Sequence, residues 1–117
     1  MLRLLKATLN SWNGIRAAAR SEEAFRQELV VFVLAVPAAF LVATDTWRRV
    51  ILIGVILLLM IVELLNTAVE KLSDHVTPDR HDAIGRVKDM ASAAVGLSLL
   101  LAGLVWLVAL AERFGLL

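Results

Sequence analysis

Three stretches of the chain lack charge for long enough to predict membrane helices. The longest, Met90–Ala111, holds 22 residues without a charge. At roughly 1.5 Å per residue this is enough to cross a hydrocarbon core of about 30 Å. Val50–Val62 is extended by apolar residues at both ends, and the shorter Leu29–Thr44 contains Pro37, which membrane helices tolerate better than soluble ones. We predict membrane helices over residues 29–44, 47–70 and 88–111.

A different pattern occupies residues 1–28, where apolar residues recur every three or four positions. The apolar positions are Leu2, Leu5, Leu9, Trp12 and Ile15. Basic and amide side chains occupy another face. This pattern predicts an amphipathic helix in the plane of the lipid headgroups, and the polar residues interrupt any signal-peptide core. Ser21 is placed to cap the helix that follows.

Composition supports an all-α membrane protein that forms a single domain over residues 1–117. Hydrophobic residues make up 60% of the chain, far more than a soluble domain carries. The chain has no cysteine, which excludes disulfides, thiolate metal sites and cysteine nucleophiles. Small residues Ser92, Gly96 and Gly103 share one face of the last predicted span and predict a close helix contact.

The basic residues are distributed unevenly between the two sides of the predicted spans. Of the twelve Lys and Arg residues, nine precede the first span or lie between the second and third. The other three are Arg48, Arg49 and Arg113. The positive-inside rule therefore predicts a cytoplasmic N-terminus and an external C-terminus, an arrangement that fits a bacterial inner membrane.

Polar residues converge at the cytoplasmic end of the second span. Glu63, Asn66 and Glu70 lie at positions i, i+3 and i+7 of one helical face. An ionisable group near the middle of a membrane costs at least about 2.5 kcal/mol on insertion scales, so a carboxylate there must be paired, hydrated or metal-bound. Two chemistries fit: proton or cation coupling in a transporter, and metal-assisted phosphoryl transfer. Spacing does not separate them, and Glu70 also fits a solvated helix end.

Four segments of the chain carry a family resemblance: "SWNGIRAA" (11–18), "EAFRQE" (23–28), "MIVELLNTAVE" (60–70) and "GRVKDMASAAV" (85–95). The motif E-x-x-N-x-x-x-E followed by K-D-M is highly specific. In their order and spacing, these segments resemble the prokaryotic diacylglycerol kinase family. The resemblance implies a homotrimer with shared active sites that uses ATP and Mg²⁺ to phosphorylate diacylglycerol to phosphatidic acid.

The same resemblance assigns roles to individual residues. Glu63 matches the catalytic base, Glu22 and Glu70 match the metal-binding carboxylates, and Asn66 lies between them on the motif. The nucleotide-binding positions are Arg3, Asn10, Glu22, Glu70, Asp79, Arg80, His81, Lys88 and Asp89. The lipid-substrate positions are Arg3, Trp12, Arg16, Arg26, Glu28, Glu63 and Ser92. Asn10 stands where better-known members have an aromatic residue, and the loop over residues 74–85 departs from theirs.

Three alternatives stay open from the sequence. An undecaprenol kinase of the same family would carry the same catalytic cluster. A small proton-coupled transporter would use Glu63 as its alternating carboxylate. A non-enzymatic membrane subunit would use the charged face to bind a partner.

Overall fold

Four α-helices make up the computed structural model, which describes residues 1–117. They are α1 (Leu2–Ser21), α2 (Glu23–Val42), α3 (Thr46–Val76) and α4 (Asp82–Arg113). Helices α2, α3 and α4 are each long and apolar enough to cross a membrane. These observations confirm the prediction of an all-α membrane protein with three spans after an N-terminal helix.

The observed helix ends differ from the predicted ones. Residues 23–28 belong to α2, not to the N-terminal helix, because Glu22 adopts an extended conformation (φ −114°, ψ 111°) and breaks the helix there. Helices α3 and α4 also continue past the uncharged stretches and leave only residues 77–81 between them. Glu, Lys and Arg have high helix propensity, so the end of an apolar stretch does not end the helix.

The cap predicted for Ser21 is wrong. Its hydroxyl donates to the carbonyl of Ala17 at 3.0 Å, one turn back within α1. Glu22 occupies the N-cap position of α2, and its side chain makes no capping hydrogen bond. Pro37 lies inside α2, which continues through it, as predicted for a membrane helix.

Helix α3 is the centre of the packing. It lies against both α2 and α4, whereas α2 and α4 barely meet, so the helices form a layer about 22 Å thick. Ala35 of α2 and Ala102 of α4 pack with Val55 and Ile56 of α3, because small residues let the helices approach closely. Only 16 of the 117 residues are buried, so most of the apolar surface is left for lipid or for other chains.

The small-residue face of α4 does not make the predicted contact within the chain. A Cβ atom added at Gly96 or Gly103 would meet no atom within 4 Å, and Ser92 is exposed. Instead, Trp106 anchors α4 to α3 by donating its indole N–H to the carbonyl of Leu52 at 3.0 Å. The close contact predicted for this face is therefore wrong for the single chain.

A polar network closes the end of the helix layer opposite the carboxylates. Asp45 caps α3 by accepting from the backbone N–H of Arg48 at 3.2 Å. The Arg48 guanidinium also lies 3.0 Å from Asp45 and 3.4 Å from Glu112. This side-chain hydrogen bond from Arg48 holds the pKa of Asp45 below its usual range.

A lowered pKa in the folded state predicts how Asp45 affects stability across pH. The stabilisation is present above the ordinary aspartate pKa and is lost as pH falls through the lowered value. Asp45→Asn keeps a good N-cap residue and removes only the charge. We expect the wild type to melt above this variant at pH 7, and the difference to shrink at acid pH. Melting curves of both proteins in one detergent test this, and a difference that is constant with pH would contradict it.

Candidate active site

Four polar residues of α3 form a continuous stripe, which we call the α3 stripe: Glu63, Asn66, Thr67 and Glu70. The first three are buried, at 8%, 9% and 8% exposure, and Glu70 is half-buried. The Asn66 amide donates to Glu70 Oε1 at 3.2 Å, which fixes the orientation of that carboxylate. Asn66 Oδ1 is buried and has no hydrogen-bond partner, so an acceptor is left for a ligand.

Two further carboxylates reach this stripe from other parts of the chain. Glu22 lies at the break between α1 and α2, and its charge and that of Glu70 both act on Glu63. Glu28 of α2 lies close enough to feel the charge of Glu63, and its Oε1 atom is buried without a partner. Like charges this close repel, and a bound cation would relieve the repulsion.

The donor set fits a magnesium ion shared with phosphate. No three His, Asp or Glu side chains form a complete metal site in the chain. Mg²⁺ usually binds through only one or two carboxylates and completes its shell with water and substrate phosphates. The charges of Glu22 and Glu70 both act on Glu63, and the Asn66 amide already holds Glu70. They therefore match what this ion requires from a protein.

Lys88 of α4 forms an ion pair with α3 near this region. Its ammonium lies 2.7 Å from Asp74 Oδ1, a contact that joins α3 to α4 across the connection at residues 77–81. Asp74 follows Glu70 by one turn of α3, so the ammonium lies about one turn beyond the α3 stripe, and the charge of Glu70 also acts on it. The neighbouring Asp89 is exposed and makes no ion pair.

The other predicted nucleotide positions are spread out. Asp79 and Arg80 lie exposed in the α3–α4 connection. His81 is the N-cap of α4, and its Nδ1 accepts from the N–H of Ala83 at 3.2 Å. This capping role uses one ring nitrogen and leaves the other free.

Most of the remaining predicted residues lie outside the carboxylate cluster. Five of them are exposed on α1 or α4, and no hydrogen bond or ion pair connects them to the cluster. They are Arg3, Asn10, Trp12, Arg16 and Ser92. Arg26 is exposed on α2, and its guanidinium donates to two backbone carbonyls of α1. Within one chain, the structure therefore brings together Glu22, Glu28, Glu63, Asn66 and Glu70, with Lys88 beside them.

An apolar groove leads away from Glu63 between α2 and α4, and α3 forms its floor. We call it the α2–α4 groove. Its volume is about 760 Å³, and eleven of its fifteen lining residues are hydrophobic. Glu28, Glu63 and Gln27 lie at one end of the groove, and Trp106 lines it farther along. The groove thus has a polar end, which contains a buried carboxylate, and an apolar body. This combination matches a lipid with a small headgroup.

Comparison with known proteins identifies the family. The model of the family described as "Prokaryotic diacylglycerol kinase" matches residues 9–110. The chain belongs to this family. It is 44% identical to the diacylglycerol kinase of Escherichia coli K12 over 113 residues, which cover 97% of this chain and 93% of that protein.

Relatives from other bacteria agree with this assignment. The diacylglycerol kinase of Pseudomonas aeruginosa is 42% identical over 89% of this chain and 85% of its own length. That of Haemophilus influenzae is 36% identical over 88% of this chain and 87% of its own length. The family resemblance read from the four sequence segments is therefore confirmed.

Sequence reasoning missed two residues of the groove and one ion pair. Gln27 is a polar residue in the first turns of a membrane span, which could have marked it. Trp106 is one of many apolar residues in its span, and nothing in the sequence marks its place in the groove. Asp74 follows the α3 stripe by one turn, but only the α3–α4 packing brings it to Lys88.

Proposed function

We propose that the chain transfers the γ-phosphoryl group of ATP to the free hydroxyl of diacylglycerol, giving phosphatidic acid. The observation that carries the proposal is the position of Glu63, a buried carboxylate at the polar end of an apolar groove. A diacylglycerol hydroxyl lies at headgroup depth with its acyl chains in the bilayer. Its base must therefore stand on a membrane helix at the interface, next to an apolar surface.

In this reaction Glu63 accepts the proton of the lipid hydroxyl while the hydroxyl oxygen forms a bond to the γ-phosphorus. The bond between that phosphorus and the bridging oxygen breaks, and ADP leaves. Asn66 holds Glu70 in place, and Lys88 offers a cation to the phosphate oxygens. Glu22 and Glu70 would hold Mg²⁺, and a bound Mg²⁺ would supply positive charge to neutralise the phosphate.

We further propose that the site works at the cytoplasmic face of a bacterial inner membrane in a homotrimer. The excess of basic residues on the side of Glu63 and Lys88 supports that orientation. The α2–α4 groove is open along one side, and most apolar residues of the chain are exposed. Neighbouring copies that cover these surfaces would bring their α1 residues, such as Arg3 and Trp12, towards the cluster and so complete a shared site.

The direct test uses the purified protein in mixed micelles with radiolabelled ATP and offers dioleoylglycerol and undecaprenol in separate reactions. We expect labelled phosphatidic acid from dioleoylglycerol, and no product without Mg²⁺. Preferential labelling of undecaprenol would favour the alternative of an undecaprenol kinase. No labelled lipid from either substrate would overturn the proposal, and proton flux in vesicles would then test for transport.

The proposed role of the Lys88 ammonium at the phosphate oxygens gives a separate prediction for nucleotide binding. Lys88→Met keeps the apolar stem and removes the ammonium, so we expect the KM for ATP to rise roughly tenfold or more, the effect of losing a hydrogen bond to a charged group. The KM for dioleoylglycerol should stay unchanged. Steady-state kinetics with each substrate varied in turn measure both constants.

Lys6→Met is the matched control, since it removes a basic group from the exposed surface of α1. It should leave both KM values unchanged. If Lys88→Met lowered only the melting temperature, Lys88 would be a helix anchor with no role in nucleotide binding.

A further inference from the structure

The corner between α1 and α2 consists of one residue, Glu22. Its backbone N–H still donates to the carbonyl of Ala18 at 2.8 Å, and its own carbonyl accepts from the N–H of Arg26 at 3.2 Å. The residue therefore closes one helix and opens the next. Its side chain makes no hydrogen bond that could fix its direction, so the placement of Glu22 depends on the geometry of the corner.

Arg26 ties the two sides of this corner together. Its Nη1 atom donates to the carbonyl of Ala19 at 3.1 Å and to the carbonyl of Arg20 at 3.0 Å. Both carbonyls belong to the last turn of α1, where no later helical N–H can serve them. A cation at that end also complements the helix dipole. The guanidinium thus acts as a cap for α1 that is supplied from the first turn of α2.

The same corner is fixed to α3 beside the carboxylate cluster. Phe25, next to Arg26, is 1% exposed and packs with Ala18 and with Met60 of α3. Met60 precedes Glu63 by three residues, so it lies on the same face of α3. Farther along α3, Lys71 donates to the hydroxyl of Ser21 at 3.2 Å. These contacts fix the position of Glu22 relative to Glu63.

We propose that Arg26 is a positioning residue, which caps α1 and so holds the Glu22 carboxylate beside Glu63. This differs from the role in binding lipid that the family resemblance implies for Arg26. The part of the inference that concerns metal rests on the proposed function, because Glu22 is there one of the two carboxylates that hold Mg²⁺. The part that concerns the corner rests on the hydrogen bonds alone.

Hydrogen exchange of the purified protein tests the corner without using activity. Arg26→Met should speed exchange of the amides in the last turn of α1 and of Glu22, since two carbonyls of that turn lose their partner. Arg20→Met is the matched control, because it removes the same charge from the same corner, and the Arg20 side chain itself makes no hydrogen bond. Its exchange should match the wild type.

Kinetics of the same variants test the consequence for Glu22. We expect Arg26→Met to raise the Mg²⁺ concentration for half-maximal rate by roughly fivefold, because it loses two hydrogen bonds that hold the corner on which Glu22 stands. The KM for dioleoylglycerol should not change. Arg26→Lys retains the charge and part of the reach, so its exchange rate and Mg²⁺ requirement should both fall between those of Arg26→Met and the wild type.

Two results would overturn the inference. One is a raised KM for lipid with unchanged exchange and Mg²⁺ requirement in Arg26→Met, which would place Arg26 at the lipid headgroup. The other is the absence of any difference from Arg20→Met. If the wild type phosphorylated no lipid, the proposed function would fail, but the exchange result would still decide whether Arg26 holds the corner.

Discussion

Glu63→Gln is expected to keep the folded assembly and to lose phosphoryl transfer by a factor of about 10² to 10⁴, the range that general-base catalysis supplies. The amide has the size and shape of the carboxylate but cannot accept the hydroxyl proton. Because the charges of Glu22, Glu28 and Glu70 all lie close to Glu63, removing its charge relieves repulsion. The melting temperature should therefore not fall.

Turnover of dioleoylglycerol at saturating ATP and Mg²⁺ measures this effect. Glu112→Gln is the control, since this exposed carboxylate pairs with Arg48 at the opposite end of the layer. It should retain wild-type turnover. Retention of more than about a tenth of wild-type turnover by Glu63→Gln would exclude Glu63 as the base, because the loss would then fall below the range for such a group.

The second large effect is expected for Glu22→Gln and Glu70→Gln. An amide oxygen is a weaker ligand for Mg²⁺ than a carboxylate, so each variant should need more Mg²⁺ for half-maximal rate and should recover part of its activity at high Mg²⁺. Glu63→Gln should not recover, because its defect is in proton transfer. Mg²⁺ titrations of the three variants at one ATP concentration make the comparison.

Glu70 differs from Glu22 in having a hydrogen-bond partner that orients its carboxylate. Asn66 donates to Glu70 Oε1 at 3.2 Å, so Asn66→Ala should shift the Mg²⁺ titration in the same direction as Glu70→Gln, by a smaller amount. Identical titrations for Glu22→Gln, Glu63→Gln and Glu70→Gln would refute the division between base and metal ligands.

Helical periodicity in the sequence already identified the α3 stripe. Glu63, Asn66 and Glu70 share a face because a helix repeats every 3.6 residues, and the structure places all three in one buried or half-buried row. The same local rule does not extend to residues on other helices. Glu28 and Glu63 are 35 positions apart, and only the packing of α2 on α3 brings their charges together.

Helix ends were the weakest part of the sequence prediction. The transfer free energy of the side chains into lipid shows where a helix leaves the apolar layer. The helix itself continues until a residue interrupts the backbone hydrogen bonds. Glu22 is such a residue, and nothing in "ARSEEAF" singles it out over Ser21 or Glu23. Its conformation depends on Phe25 packing with Met60 and on Arg26 capping α1.

By itself, the sequence determined the three membrane helices, the amphipathic α1, the α3 stripe and the family, because hydropathy, periodicity and motif spacing are properties of neighbouring residues. Only the tertiary structure decided which charges meet. It joined Lys88 to Asp74, turned Arg26 towards α1 and opened the α2–α4 groove beside Glu63. Those contacts depend on how helices cross and how closely small residues let them approach, and no single stretch of sequence contains that information.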